Sequence, residues 1–149
     1  MKICNLLLLI FICSCGESTH EKKGTPVVVA GNDTIPLVRK TVKKEPVASW
    51  WVVMDKALDR KFGVAVYETP RTFHYLLSMQ YDGMVEKDSM EIPNFGIWPV
   101  IRIVRGEQKL SCIIGFMDAN NNFKEYKLLS AKNNRLSLTT LKYYAVVTR

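Results

Sequence analysis

Along residues 71–81 the chain alternates between large apolar residues and mostly polar ones. The apolar positions of this segment, RTFHYLLSMQY, are Phe73, Tyr75, Leu77, Met79 and Tyr81. Successive side chains of a strand point to opposite faces, so a period of two predicts a strand with one buried face. Asp82-Gly83 follows directly and favours a tight turn at its end.

Further β-prone runs lie on both sides of this strand, separated by turn-forming clusters. They are residues 50–54, 63–68, 100–104, 109–117, 123–129 and 135–147. The segment DKALDRKFG predicts a short helix or turn, whereas RGEQ, DANNN and SAKNN are turn chemistry. Short strands at close spacing predict a mainly β fold, a small antiparallel β-sandwich or an open barrel.

The N-terminus, MKICNLLLLIFICSCGES, has the pattern of a targeting segment. Lys2 provides a positive end, an apolar run extends from Leu6 to Cys13, and small residues follow. The run is too short for a membrane span, which needs about 20 apolar residues. It predicts a cleaved secretory signal.

The end of this segment, Ile12-Cys13-Ser14-Cys15, resembles the lipobox of bacterial lipoprotein precursors. The resemblance implies a signal peptide over residues 1–14, cleavage between Ser14 and Cys15, and a diacylglyceryl group and an N-acyl chain on Cys15. Cys13 departs from the small or hydroxylated residue that is more frequent there. Several acyl chains anchor a protein firmly to a membrane. Gly16, rather than Asp, implies the outer membrane under the sorting rule of enteric bacteria, on its periplasmic side or at the cell surface.

Residues 15–46 are expected to form a lipidated tether that precedes a β-sandwich domain over residues 47–149. The stretch GESTHEKKGTP has no large apolar residue and is typical of a flexible linker. Val27–Val29 and Thr34–Val38 are β-prone on either side of a turn-forming Gly31-Asn32-Asp33, which predicts a short hairpin or an extended arm.

A basic cluster ends the tether, formed by Arg39, Lys40, Lys43 and Lys44. Its simplest interpretation is a solvated linker, with contact to a membrane surface as the alternative. The full chain has a net charge of +7, and removal of residues 1–14 takes away Lys2 and no acid, which leaves +6. The simplest interpretation of this excess is a solvated surface rich in lysine, with attraction to anionic lipid head groups or to an acidic partner as the alternative. Nucleic acid is not expected as the partner of an exported, lipid-anchored chain.

Catalytic and metal-binding patterns do not stand out. Cys112 is the one cysteine left after lipidation, and it lies on an apolar strand face, where a packed core thiol is expected. With only His20 and His74, the chain lacks the ligand set of a usual zinc site. Asp118 is the sole acid of DANNN, which predicts a hairpin turn and not a calcium loop. We therefore expect a non-enzymatic protein with no metal and no cofactor beyond the lipid on Cys15.

The loop MEIPNFGIWP, residues 90–99, is unusually apolar and contains two prolines. Phe95 and Trp98 are expected either to fold back onto the core or to form a preformed docking loop with Trp98 as its anchor. Trp50 and Trp51 are adjacent, so one of them points away from the core if that segment is a strand. These four aromatic residues are the candidate partner contacts.

The favoured function is a lipid-anchored adaptor or structural component of a membrane-associated envelope assembly, bound to other envelope proteins. In architecture alone, this plan is similar to the small outer-membrane lipoprotein of type VI secretion membrane complexes. One alternative is a lipoprotein that binds a small ligand or glycan in a pocket lined by Phe73, Tyr75 or Trp98. Another is a toxin immunity or inhibitor protein, although a charge of +6 disfavours inhibition of basic lysozymes.

Overall fold

The structure, a computed structural model, describes residues 27–30 and 35–147, and this part of the chain contains strands and no helix. The strands are β1 (Val27–Ala30), β2 (Ala48–Asp55), β3 (Arg60–Glu68), β4 (His74–Tyr81), β5 (Met84–Glu91), β6 (Ile101–Arg105), β7 (Ser111–Met117), β8 (Phe123–Lys132), β9 (Arg135–Thr140) and β10 (Tyr144–Val147). Among these residues, therefore, no helix is available to cross a lipid bilayer.

The strands form two four-stranded antiparallel sheets and one small parallel pair. The first sheet has the order β2-β3-β4-β5, the second has the order β6-β7-β8-β9, and β1 pairs in parallel with β10. Within each large sheet, neighbours in sequence are neighbours in space, as in a meander. The fold class predicted from the sequence, a small antiparallel β-sandwich or open barrel, is confirmed.

The predicted alternation of β4 is observed. Tyr75, Leu77, Met79 and Tyr81 are buried, whereas Leu76 on the opposite face is exposed. The core between the sheets is completed by large apolar side chains of the neighbouring strands: Phe62, Val64 and Val66 from β3, Cys112, Ile114 and Phe116 from β7, and Leu129 from β8. Each large apolar side chain buried in this way stabilises the fold by about 1.5–3 kcal/mol.

Two of the hairpins are closed by two-residue turns with positive φ at both positions. Asp82 and Gly83 have φ of 48° and 84°, and Asn133 and Asn134 have φ of 51° and 57°. These values suit the I′ turn, whose twist matches that of the flanking strands. The segment after β2 is a turn and not a short helix, and the Asp55 carboxylate accepts a hydrogen bond from the Ala57 N–H at 2.8 Å.

Strand β5, which contains Glu86, Asp88 and Glu91, is not among the β-prone runs predicted from the sequence. These residues belong to a strand that pairs with β4 over its whole length. Positions 84–89 are exposed on both faces, so the sequence carries no alternation there. Charged side chains are common on such edge strands, because they discourage pairing with other chains.

The segment before β2 lies along the connection between β3 and β4. The Arg39 N–H donates to the Pro70 carbonyl at 2.8 Å, and the Thr72 N–H donates to the Leu37 carbonyl at 2.9 Å. Because β1 pairs with β10 and Val38 bridges to Arg71, residues 35–38 correspond to the extended arm and not to the hairpin, the other expected alternative. We call residues 35–46 the arm. The expected cleavage and lipidation positions, Ser14 and Cys15, lie outside the described residues.

Candidate docking groove around Trp98

The two aromatic residues of the loop between β5 and β6 have different environments. Phe95 is buried and stacks on Phe116, with ring centroids 5.2 Å apart. Trp98 is 52% exposed. A turn separates them, in which Gly96 has a φ of 74° and donates its N–H to the Asn94 side chain at 2.9 Å. Phe95 thus belongs to the core and is not a surface contact, whereas Trp98 is available at the surface.

The tryptophan pair of β2 divides between the two faces of its sheet, as predicted. Trp50 packs against the core and meets the Phe62 ring edge-on at 5.9 Å. Trp51 is 39% exposed, and the Lys61 ammonium lies 5.4 Å from the centroid of its indole ring. Trp51 faces the outer surface opposite Gly63 and is not part of the groove at Trp98. The four candidate aromatic residues therefore do not form one site.

A surface groove of about 520 Å³ lies beside Trp98. Most of its lining comes from the arm, with one residue from the end of β3 and Trp98 from the loop that follows β5. The lining residues are Pro36, Arg39, Lys40, Thr41, Lys43, Glu68 and Trp98. The fold thus brings the basic cluster and one of the candidate aromatic residues together, although they are far apart in sequence.

Arg39 fixes the arm to the sandwich from within the groove. Its side chain is 6% exposed, and one guanidinium nitrogen, Nη1, lies 3.4 Å from a carboxylate oxygen of Glu68. The other, Nη2, donates to the Thr72 carbonyl and, at 2.8 Å, to the Tyr75 hydroxyl. The guanidinium carbon also lies 5.2 Å from the Tyr75 ring centroid, within the range of a cation–π contact.

The interpretation of the basic cluster as a solvated linker is therefore wrong for Arg39. The guanidinium is compensated by a carboxylate, a carbonyl and a phenol, which makes its burial tolerable. Burial raises the pKa of Tyr75, and the positive charge and hydrogen bond of Arg39 offset part of that rise. Since Glu68 and Tyr75 are 29 and 36 residues away along the chain, sequence spacing gave no signal for this cluster.

Lys40 and Lys43 differ from Arg39 because both are exposed in the groove. Neither side chain forms an ion pair within the described part of the chain. The Lys43 backbone N–H donates to the second carboxylate oxygen of Glu68 at 3.1 Å. Both oxygens of Glu68 are thus engaged by the arm, so the two lysine charges dominate the exposed part of the groove.

The other groups considered from the sequence have ordinary structural roles. Cys112 is fully buried, and burial raises the pKa of its thiol to about 12, as expected of a packed core cysteine. His74 Nδ1 lies 3.2 Å from the Thr69 hydroxyl. Over residues 27–30 and 35–147, no cluster of three or more His, Cys, Asp or Glu side chains could hold a metal ion. No protein-family model matches this chain, and comparisons with curated proteins and with solved structures also give no match.

Proposed function

We propose that the protein is a non-enzymatic, lipid-anchored adaptor of the cell envelope. It is held in the outer membrane through Cys15 and binds another envelope protein at the groove beside Trp98, within a membrane-associated assembly such as a secretion system. The observation that carries this proposal is the 52% exposure of Trp98 at a basic groove on a domain whose interior is packed with side chains.

An exposed indole on a fixed loop is well suited to protein recognition. Tryptophan is enriched among the few side chains that dominate the binding energy of interfaces. The loop is held by buried Phe95 and by the turn at Gly96, and Pro93 and Pro99 restrict its backbone. A preformed loop loses little conformational entropy on binding, which favours affinity.

The alternative functions receive less support. The small-ligand or glycan alternative predicted a pocket lined by Phe73, Tyr75 or Trp98. Phe73 and Tyr75 are buried in the core, and only Trp98 lines the groove. An inhibitor of a basic lysozyme would be expected to carry negative charge, whereas this chain is basic. Protein docking uses the groove and the exposed indole together.

The lipid anchor is tested by Cys15→Ser, followed by fractionation of cells into membrane and soluble material. We expect an unprocessed or soluble form, because the acylated sulfur is gone. A variant that has lost residues 1–14 and still partitions with membranes to the same extent as the parent would show that the lipobox interpretation is wrong.

The docking function is tested by recovering the native protein from cross-linked envelopes in mild detergent, with the Cys15→Ser form as a control. We expect stoichiometric recovery of another envelope protein. Trp98→Ala should weaken that binding by more than about 1 kcal/mol and leave folding stability unchanged, because the indole is exposed. Trp51→Ala is the matched control, since it removes a partly exposed tryptophan outside the groove. Recovery of the protein alone would contradict the proposal.

A further inference from the structure

We propose that the groove binds an acidic, extended segment of the partner protein, whose carboxylates face Lys40 and Lys43 while one of its apolar side chains contacts Trp98. This inference rests on the proposed docking function and names the chemistry of the partner. It follows from the distribution of charge, from the chemistry of lysine side chains and from the apolar residues on the chain segments that form the groove.

The charges of the groove fall into an inner pair and an available outer set. Arg39 is 6% exposed and Glu68 is 13% exposed, and they pair with each other. The Lys43 backbone N–H donates to Glu68, whereas the side chains of Lys43 and Lys40 are exposed. A partner therefore meets two positive charges with no exposed negative charge of the groove to balance them, and acidic side chains are the complementary choice.

The kind of cation favours a polypeptide over a small anion. Lysine carries a compact charge on a flexible four-carbon stem, whereas tight binding of a small anion favours the rigid, bidentate guanidinium of arginine. The one arginine of the groove has both terminal nitrogens engaged by Glu68, Thr72 and Tyr75. Two mobile ammonium groups can follow carboxylates that are distributed along a chain.

The surface around the groove suits the apolar part of such a segment. Leu37 and Val38 in the arm and Val100 after Trp98 are all exposed, and each is within two residues of a groove-lining residue. These apolar side chains lie on the two chain segments that form the groove. A membrane surface offers a similar combination of chemistry, but a groove fits an inserted chain segment better than a flat layer of headgroups.

The test uses the full-length lipoprotein in intact envelopes and a zero-length carbodiimide, which joins a carboxylate to a lysine amine. In the parent protein we expect mass spectrometry to find Lys40 or Lys43 linked to Asp or Glu of the recovered partner. Lys40→Glu combined with Lys43→Glu should reduce partner recovery about tenfold, and added salt should reduce recovery by the parent protein. Lys40→Arg combined with Lys43→Arg should keep the partner and lose the cross-links.

The matched control is Lys87→Glu combined with Lys109→Glu, which reverses two exposed charges that do not line the groove. This control should retain the partner and the cross-links. All variants are compared by thermal unfolding, and since the substituted side chains are exposed we expect equal stability.

Three results would overturn the inference, and they differ in what they say of the adaptor function. If the variant with Lys40→Glu and Lys43→Glu recovers the partner as well as the Lys87→Glu, Lys109→Glu control does, and the cross-links lie elsewhere, the groove is not the docking site. The adaptor function then stands. If the parent recovers no envelope protein, the adaptor function fails and the inference fails with it. If the soluble Cys15→Ser form instead floats with phosphatidylglycerol vesicles through Lys40 and Lys43, and no carboxylate cross-links form, the groove contacts lipid.

Discussion

Replacement of Arg39 by alanine should destabilise the whole domain, although Arg39 lies in a segment with the sequence character of a linker. Arg39 is nearly buried, pairs with Glu68 and donates hydrogen bonds to the Thr72 carbonyl and the Tyr75 hydroxyl. Arg39→Ala removes all three interactions. The Glu68 carboxylate, which is 13% exposed, and the buried Tyr75 hydroxyl then lack the guanidinium group.

The size of the effect follows from what is left behind. Removal of one partner from a buried ion pair costs about 3–5 kcal/mol, mainly because the other charge remains uncompensated. Glu68 keeps the Lys43 backbone N–H at 3.1 Å and some access to water, which places the cost at the lower end. We therefore expect the free energy of unfolding to fall by about 3 kcal/mol, or the melting temperature by about 10 °C.

The measurement is urea unfolding of the soluble Cys15→Ser protein, followed by tryptophan fluorescence. Lys40→Ala is the control, because this exposed neighbour should change stability by less than about 0.5 kcal/mol. Arg39→Met combined with Glu68→Met should cost less than Arg39→Met alone, since no unpaired charge remains. A loss for Arg39→Ala as small as that for Lys40→Ala would refute the buried ion pair and the docked arm.

Two further predictions concern two glycines of the first sheet and the turn between β7 and β8. Gly63→Ala should lower the free energy of unfolding by about 3 kcal/mol, because the added Cβ would lie 2.0 Å from the Trp50 carbonyl oxygen and 2.9 Å from the Trp51 Cα. Gly83→Ala is the control in the same thermal unfolding experiment and should cost only about 1 kcal/mol, because Gly83 has open space around it but a φ of 84°. Equal losses for the two variants would contradict this prediction. Hydrogen bonds from the Asn122 N–H and from Lys124 hold the pKa of Asp118 at about 2, below its ordinary 3.8. The ionised Asp118 carboxylate therefore stabilises the β7–β8 hairpin above pH 4, and this stabilisation is lost towards pH 2. An NMR titration of its carboxyl carbon should show this, whereas a midpoint near 4 would exclude it.

The sequence was most informative where burial and periodicity coincide. The alternation of residues 73–81 predicted β4 and its buried face, and the turn clusters predicted most of the second sheet. The adjacent Trp50 and Trp51 could be assigned to opposite faces because consecutive side chains of a strand must diverge. Local sequence is sufficient in these cases because the position of a side chain depends mainly on its own strand.

Features that depend on distant residues could not be predicted in this way. Strand β5 is recognised by its pairing with β4, since its own positions 84–89 are exposed on both faces. The burial of Arg39 requires Glu68 and Tyr75, and the groove requires Trp98 to lie beside the arm. Phe95 and Trp98 were a single apolar loop in the sequence, and only the turn at Gly96 separates a core residue from an exposed one.

The arm connects the stability of the domain to the proposed docking site. Arg39 holds the arm against the connection between β3 and β4, and Lys40 and Lys43 thereby line the groove with Trp98. On the proposed anchor, Cys15 precedes the first residue of β1, Val27, by 12 residues, which span at most about 40 Å even when fully extended. The sandwich is then kept close to the bilayer, and a partner with an acidic segment can be captured there by a groove that Arg39 keeps in shape without offering its own charge to the ligand.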